Sequence, residues 1–378
     1  MFFPFVAASQ TKENKKLTRP RELDRGITWQ RDPATGELRV GSPAARQSAS
    51  NDSTATSIRV VTQMVSVTSS VFTAEGDAVP GLSRANFRIF DNGVEQKISY
   101  FDASSEPASV ALVIDASPSV LRDTDEMKRA AEALVDALAP LDQAGVVDFS
   151  AHAYLQLPFS DARELIRRAV ARVDVRQLLG DTGGSNIYEA VYLAAHDLFP
   201  GRTGRKSIVL FTDGQDSGLG LTLDPASEFP ASGAAGNRLT FDDVARFLAN
   251  EDIELFAVST ENRPKVMTSA WLASHMNATL VTLRARDLEI PPYTLYLAEL
   301  VRRASGQLYF LREKPTLADT FREIAKKIRA EYTFGYYPST ATVSADLPTG
   351  RHELRVEVLG QADALVDHRS EYYVSSPN

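Results

Sequence analysis

The sequence predicts an α/β protein, a doubly wound and mostly parallel sheet, with a small antiparallel β domain built from segments on both sides of it. Three observations carry this. The apolar runs Val110–Ile114 and Ser207–Phe211 lead into carboxylates, Asp115 and Asp213, and continuous runs of this length suit strands buried on both faces. Between and beyond them, apolar residues recur at helical spacing, and alternating strands and helices imply a sheet with helices on both faces. The flanks, 58–105 and 332–378, instead alternate with a period of two.

Taken from the start, Met1–Ser9 is short, apolar and ends in small residues, which suggests the remnant of a signal peptide and an extracytoplasmic protein, with a disordered terminus and a cytoplasmic location as the alternative. From Gln10 to about Thr56 no apolar period appears, and residues 10–50 carry nine positive and five negative side chains, so residues 1–57 are expected to form a flexible leader. Alternation begins at Ile58. Asp91-Asn92-Gly93 supplies turn residues that tolerate positive φ, and Val94–Tyr100 is expected as the return strand. A unit this small has a marginal core alone, so 332–378, with Tyr332, Phe334 and Tyr336, then Leu354, Val356 and Val358, should complete it.

Within 106–331, strands are expected at Val110–Ile114, Val146–Phe149, Ser207–Phe211, Ile253–Val258 and Leu308–Leu311, with a short edge strand at Tyr154–Leu157. Helices are expected through Met127 to Leu138, Ala162–Val170 and Ile187–Leu198. A further one follows Thr240, whose spacing to Asp243 reads as a capping box, and others cover Leu295–Ala304, closed by Gly306, and Leu317–Ile328. Two long loops, Asp216–Arg238 and Thr260–Pro292, frame one edge; Trp271 in the second is expected to pack against the domain.

Composition removes whole classes of function. With 378 residues, 43% hydrophobic and 24% charged, the chain is an ordinary globular one, neither collagen nor coiled coil. Forty-one basic against 49 acidic side chains give a formal charge of −8, a poor match to nucleic acid. The absence of cysteine excludes disulfides, thiolate metal sites and thiol nucleophiles. No apolar run reaches the roughly 18–20 residues of a transmembrane helix. The five histidines show no zinc-ligand spacing. Gly201–Ser207 lacks the glycine before Lys206 that a phosphate loop needs, and it precedes a strand instead of following one.

The chemistry concentrates in three clusters at strand ends or loop mouths: Asp115-Ala116-Ser117-Pro118-Ser119, Gly183-Gly184-Ser185-Asn186 and Thr212-Asp213-Gly214. Ligands in open α/β sheets bind beyond the carboxyl ends of strands, where Asp115 and Asp213 fall. Two carboxylates and three hydroxyls form a hard, all-oxygen donor set, suited to Mg²⁺ or Mn²⁺.

These residues resemble the metal-ion-dependent adhesion site of von Willebrand factor A domains, whose pattern is Asp-x-Ser-x-Ser, a distant Thr, and an Asp in a Thr-Asp-Gly context. Asp115, Ser117, Ser119 and Asp213 match, and the Thr position falls on Ser185, which keeps the hydroxyl and loses the methyl that stiffens χ1. The resemblance extends through Gln63–Val67, Asn86–Gly93, Glu95–Phe101 and Gly335–Pro338 to a bacterial group of exported A-domain-related proteins. It implies that Ser117, Ser119 and Ser185 ligate Mg²⁺ directly and that Asp115 and Asp213 stand close by. It also implies a metal-dependent protein-binding or adhesion module, not an enzyme, whose partner offers a Glu or Asp carboxylate. Two other readings stand beside it: a phosphoaspartyl-type hydrolase, for which Ser117 occupies the place of a second carboxylate, and a structural module with a vestigial metal site.

Overall fold

Strand-forming runs dominate the chain in order, broken by helices only in its middle. The elements are β1 (Arg21–Glu22), β2 (Thr28–Arg31), β3 (Leu38–Gly41), β4 (Val65–Phe72), β5 (Phe87–Asp91), β6 (Val94–Gln96), β7 (Ile98–Asp102), β8 (Ser109–Asp115), α1 (Thr124–Ala137), β9 (Gln143–Phe149), β10 (Ala153–Ser160), α2 (Arg163–Arg172) and α3 (Ile187–Leu198). Then follow β11 (Lys206–Thr212), α4 (Phe241–Asn250), β12 (Ile253–Ser259), α5 (Pro292–Arg303), β13 (Leu308–Phe310), α6 (Leu317–Arg329), β14 (Glu331–Tyr336), β15 (Arg351–Val358), β16 (Leu365–His368) and β17 (Glu371–Tyr373). The computed structural model describes residues 17–32, 37–41, 64–73, 79–103, 107–174, 184–219, 237–268, 290–311, 317–329, 331–338, 351–361 and 364–373. Ile58, Val60, Gly183, Trp271 and most of both long loops lie outside the described residues. Among the described residues no helix is long and apolar enough to cross a membrane.

A seven-stranded sheet in the order β1-β10-β9-β8-β11-β12-β13 is parallel from β9 to β13, and β10 and β1 add antiparallel strands at one side. Both faces are covered, which is why β8 reads as one apolar run. Ala111 and Val113 point into a core with α3, α4 and α5, while Val110, Leu112 and Ile114 point into a core with α1, α2 and α6. The chain leaves β8 toward β9 on one side and returns to β11 on the other, so the order reverses at the carboxyl end of β8. The capping box at Thr240 is present, Asp243 N–H donating to Thr240 Oγ1 (3.2 Å) and Thr240 N–H to Asp243 Oδ2 (2.9 Å).

The flanking segments meet in a sandwich. One sheet is β16-β4-β14-β7 and the other β17-β15-β5-β6, so each combines strands from before and after the α/β domain. Val67 faces Phe334, and Leu354 faces Asp91. Asn92 (φ 48°) and Gly93 (φ 77°) take the positive φ of the tight hairpin turn between β5 and β6. Asp91 is fully buried at its base. Its carboxylate accepts from Tyr336 (2.9 Å) and Tyr372 (2.7 Å) and meets His352 Nδ1 at 2.8 Å, so three strands converge on one charge. Polar contacts join the sandwich to the α/β domain: Arg303 of α5 binds Glu371 (2.9 Å), and Thr68 donates to Asp252 (2.7 Å).

Four expectations are corrected. Residues 17–32 and 37–41 are folded, not a free leader: β1 pairs with β10, and β2 and β3 form a hairpin with Leu23 and Leu38 buried in the α/β core. Sparse apolar anchors among many charges hide such a segment from a periodicity test. The strand at Tyr154–Leu157 runs from Ala153 to Ser160 and is not an edge, because β1 covers it. The return strand breaks at Lys97: β6 pairs with β5 and β7 pairs with β14, so the chain changes sheets there. The left-handed residue after α5 is Ser305 (φ 40°), not Gly306. Glycine at 306 serves close approach, since a Cβ would lie 2.1 Å from the Leu255 carbonyl oxygen.

Candidate functional site

Asp115 ends β8 beside the end of β11, and its carboxylate ties three loops together. Oδ1 accepts the backbone N–H of Ser117 (2.9 Å); Oδ2 accepts Thr212 Oγ1 (2.7 Å) and Ser185 Oγ (3.3 Å). Ser117 is extended (φ −72°, ψ 159°), and Pro118, with its fixed φ, opens a short 3₁₀ turn over Pro118–Val120. That turn brings the hydroxyls of Ser117 and Ser119 to 3.0 Å from each other. Ser117 is buried and Ser119 exposed, so the pair faces outward from the sheet edge.

The Ser185 loop is held from two sides. Asn186 N–H donates to Ser150 O (2.9 Å) and its side chain to Ala151 O (2.8 Å), fixing the loop to the end of β9. Ser217 donates its N–H (2.8 Å) and hydroxyl (3.1 Å) to the Ser185 carbonyl. The contact leaves no room at Gly184, where a Cβ would lie 1.7 Å from Ser217 Oγ. Asp213, buried after β11, accepts Gln215 N–H (2.9 Å) and Gln215 Nε2 (3.3 Å). Gly214 turns there with φ 88° and gives its N–H to Thr212 Oγ1 (3.0 Å).

The electrostatics follow from burial. Asp115 is fully buried, and loss of hydration pushes its carboxyl up to about 6; hydrogen bonds from Ser117 and Thr212 oppose the rise, and the negative Asp213 adds to it. Burial also raises Asp216, against backbone N–H groups of Leu219 and the first residues of α3. Tyr293, raised by burial and by Glu261 and Asp213, stands on the same rim.

Ser117, Ser119, Ser185 and Asp115 thus meet in one hydrogen-bonded cluster, and Asp213 enters it by its charge on Asp115 and through Thr212 next to it. The donor set is all oxygen. Adjacent ligands of an octahedral ion with bonds of about 2.1 Å stand about 3.0 Å apart, which is the Ser117–Ser119 separation. The residues present therefore fit a hard divalent ion. Sequence reasoning missed the roles of Thr212, which gives Asp115 its shortest hydrogen bond (2.7 Å), and of Ser217, which fixes Ser185. Thr212 lies inside the Thr212-Asp213-Gly214 cluster, whereas nothing in the sequence around Ser217 signals its contact with Ser185.

Residues 110–215 match the family model described as von Willebrand factor type A domain. No curated protein matches the chain. Among solved structures, an aerotolerance-related membrane protein from Bacteroides fragilis is 18% identical, with 58% of this chain and 98% of that chain covered and a TM-score of 0.39. A von Willebrand factor type A protein from Catenulispora acidiphila is 13% identical over 83% of this chain and 74% of that one, with a TM-score of 0.38. The von Willebrand domain of the type V pili tip protein from Porphyromonas gingivalis is 12% identical over 60% and 96%, with a TM-score of 0.40. Within the central α/β domain, then, it is the segment 110–215, from β8 through β11 to Gln215, that is similar to the von Willebrand factor type A family.

Proposed function

We propose that this chain is a non-enzymatic binding protein whose A domain holds Mg²⁺, or Mn²⁺, on Ser117, Ser119 and Ser185, with Asp115 and Asp213 in support. The ion takes up an exposed Glu or Asp carboxylate of a protein partner. The observation that carries the reading is the cluster of three serines from two loops around Asp115: Ser185 gives its carboxylate a hydroxyl and Ser117 a backbone N–H, while the Ser117 and Ser119 hydroxyls stand 3.0 Å apart. Neutral hydroxyl ligands leave most of the ionic charge uncompensated, so a carboxylate gains a strong charge-assisted bond and a neutral Gln far less. Exposed Leu121, two residues past Ser119, offers apolar contact at the rim. An extracytoplasmic location goes with partner capture of this kind.

The hydrolase reading has less support. Asp115 receives Ser117, Thr212 and Ser185, and among the described residues no lysine or arginine hydrogen-bonds to it or to Asp213.

The test is calorimetry and thermal unfolding of the full chain with and without Mg²⁺. An ion that binds only the folded state stabilises it by about 2.7 kcal/mol at a hundred times its Kd. Asp115→Ala should abolish that increment, and native-host pull-downs should lose the partner in EDTA and regain it with Mg²⁺. An equal increment in the variant, or capture undiminished by chelator, rejects the reading.

A further inference from the structure

The folded N-terminal strap brings a second set of ligating groups together. β1 pairs with β10, and Leu23 N–H donates to Ala153 O (2.8 Å). Trp29 packs edge-on against Tyr192 of α3 at 5.3 Å between ring centres. This register seats Glu22 and Asp24 beside His152, in the turn between β9 and β10. One ligand atom from each of the three lies within 4.8 Å of the other two. His152 Nδ1 and Asp24 Oδ2 are 2.5 Å apart. The other Asp24 oxygen, Oδ1, is buried and has no hydrogen-bond partner among the described residues.

That oxygen is the informative atom. A buried carboxylate oxygen without a donor costs the desolvation it never recovers, and most such groups in folded proteins are satisfied. Glu189 on the first turn of α3 adds a third carboxylate nearby: burial raises it, Asp24 and Asp216 add to the rise, and His152 opposes it. Two carboxylates and one imidazole from segments 128 residues apart are a mixed oxygen and nitrogen set. Such a set suits Zn²⁺, which takes three protein ligands and leaves a fourth position to water, better than it suits Mg²⁺.

We infer that Glu22, Asp24 and His152 bind a Zn²⁺ ion that fastens the N-terminal strap to the sheet. The inference is independent of the Asp115 centre, which shares none of these residues and offers only oxygen. Its mechanical role follows from connectivity: two ligands come from the strap and the third from the α/β domain, so the ion closes a bridge that β1, only two residues long, makes weakly.

The experiment uses the full chain, stripped with EDTA and dialysed, then titrated with ZnCl₂ by calorimetry while hydrogen exchange follows residues 17–32. One ion per chain should bind, with slower exchange in that segment. H152A and E22Q should each weaken uptake by roughly 100-fold or more, the upper end of what loss of a supporting partner costs. The His152 side chain is 51% exposed, so its removal leaves folding to the rest of the core, and circular dichroism checks that. The Asp115→Ala chain, measured in parallel, should keep its Zn²⁺ uptake. No uptake, uptake unchanged in H152A and E22Q, or uptake lost in Asp115→Ala alone overturns the inference; the last outcome assigns the ion to the other centre.

Discussion

Thr212 gives its hydroxyl to Asp115 Oδ2 at 2.7 Å, joining the ends of two neighbouring parallel strands at the point where the sheet order reverses. The same hydroxyl receives Gly214 N–H, so one side chain sets both the Asp115 carboxylate and the turn that carries Asp213. Thr212→Val keeps the shape and removes the hydroxyl. It should cost about 1–3 kcal/mol, the penalty for a buried acceptor left short of a donor, whereas Thr212→Ser should cost much less. Urea denaturation of both variants checks this; equal losses would show that packing, not the hydrogen bond, matters at 212.

The raised carboxyl of Asp115 makes stability depend on pH in a defined direction. Its ordinary value is 3.8 and its folded value about 6. Above 6 the group is ionised in both states and the folded protein bears the buried charge; below 3.8 it is protonated in both and that cost is gone. Without metal, stability from this group should therefore rise as pH falls from about 6 to 4. About two pKa units correspond to roughly 3 kcal/mol. Denaturation in EDTA at pH 7, 6, 5 and 4, wild type against Asp115→Asn, should show the wild type gaining on the variant as pH falls. A difference that stays flat contradicts the assignment. Metal uptake should weaken over the same range, because the ion needs the ionised carboxylate.

Gly184 predicts a coupling. A methyl there collides with Ser217 Oγ, whose displacement releases the Ser185 carbonyl. Gly184→Ala should lower Mg²⁺ affinity with little change in helix content, and adding Ser217→Gly should restore part of it by making room. Titration calorimetry on the single and double variants decides; a double variant no better than the single would mean that loss of the Ser217 hydroxyl bond to Ser185 outweighs relief of the clash.

The sandwich predicts interdependence of the two flanks. Removing 332–378 takes away β14, which pairs with both β4 and β7, and β15, which pairs with β5. Residues 64–102 should then be cut rapidly by protease while the α/β domain persists. Asp91→Ala in the full chain should show a milder form of the same loss, since it strands His352, Tyr336 and Tyr372 together. Protection of 64–102 in the truncation would refute the shared core.

Much of this architecture was legible because burial on both faces writes continuous apolar runs, as in β8, β11 and β12, and because Thr240 and Asp243 state a helix start chemically. Asp115, Ser117 and Ser119 were legible for a similar reason, being adjacent in sequence at the end of such a run. What escaped was held by contacts distant in sequence. The strap at 17–32 and 37–41 rests on Leu23, Leu38 and Trp29 inserted singly among charges. The role of Ser217 exists only because Gly184 passes against it, and the break at Lys97 reflects a strand shared between two partners.

The insertion of the A domain between β7 and β14 has a consequence for the nascent chain. Val67 leaves the ribosome long before Phe334, the residue it faces. At about 5–20 residues per second, β4 waits roughly a quarter of a minute to a minute for its central partner. The A domain can fold during that interval, since its own strands arrive between the two halves. Meanwhile an apolar strand rich in Val, Ser and Thr has an open edge on each side. Translation rate and holdase chaperones should therefore govern the yield of this protein through the sandwich, while the α/β domain, complete earlier, escapes that dependence.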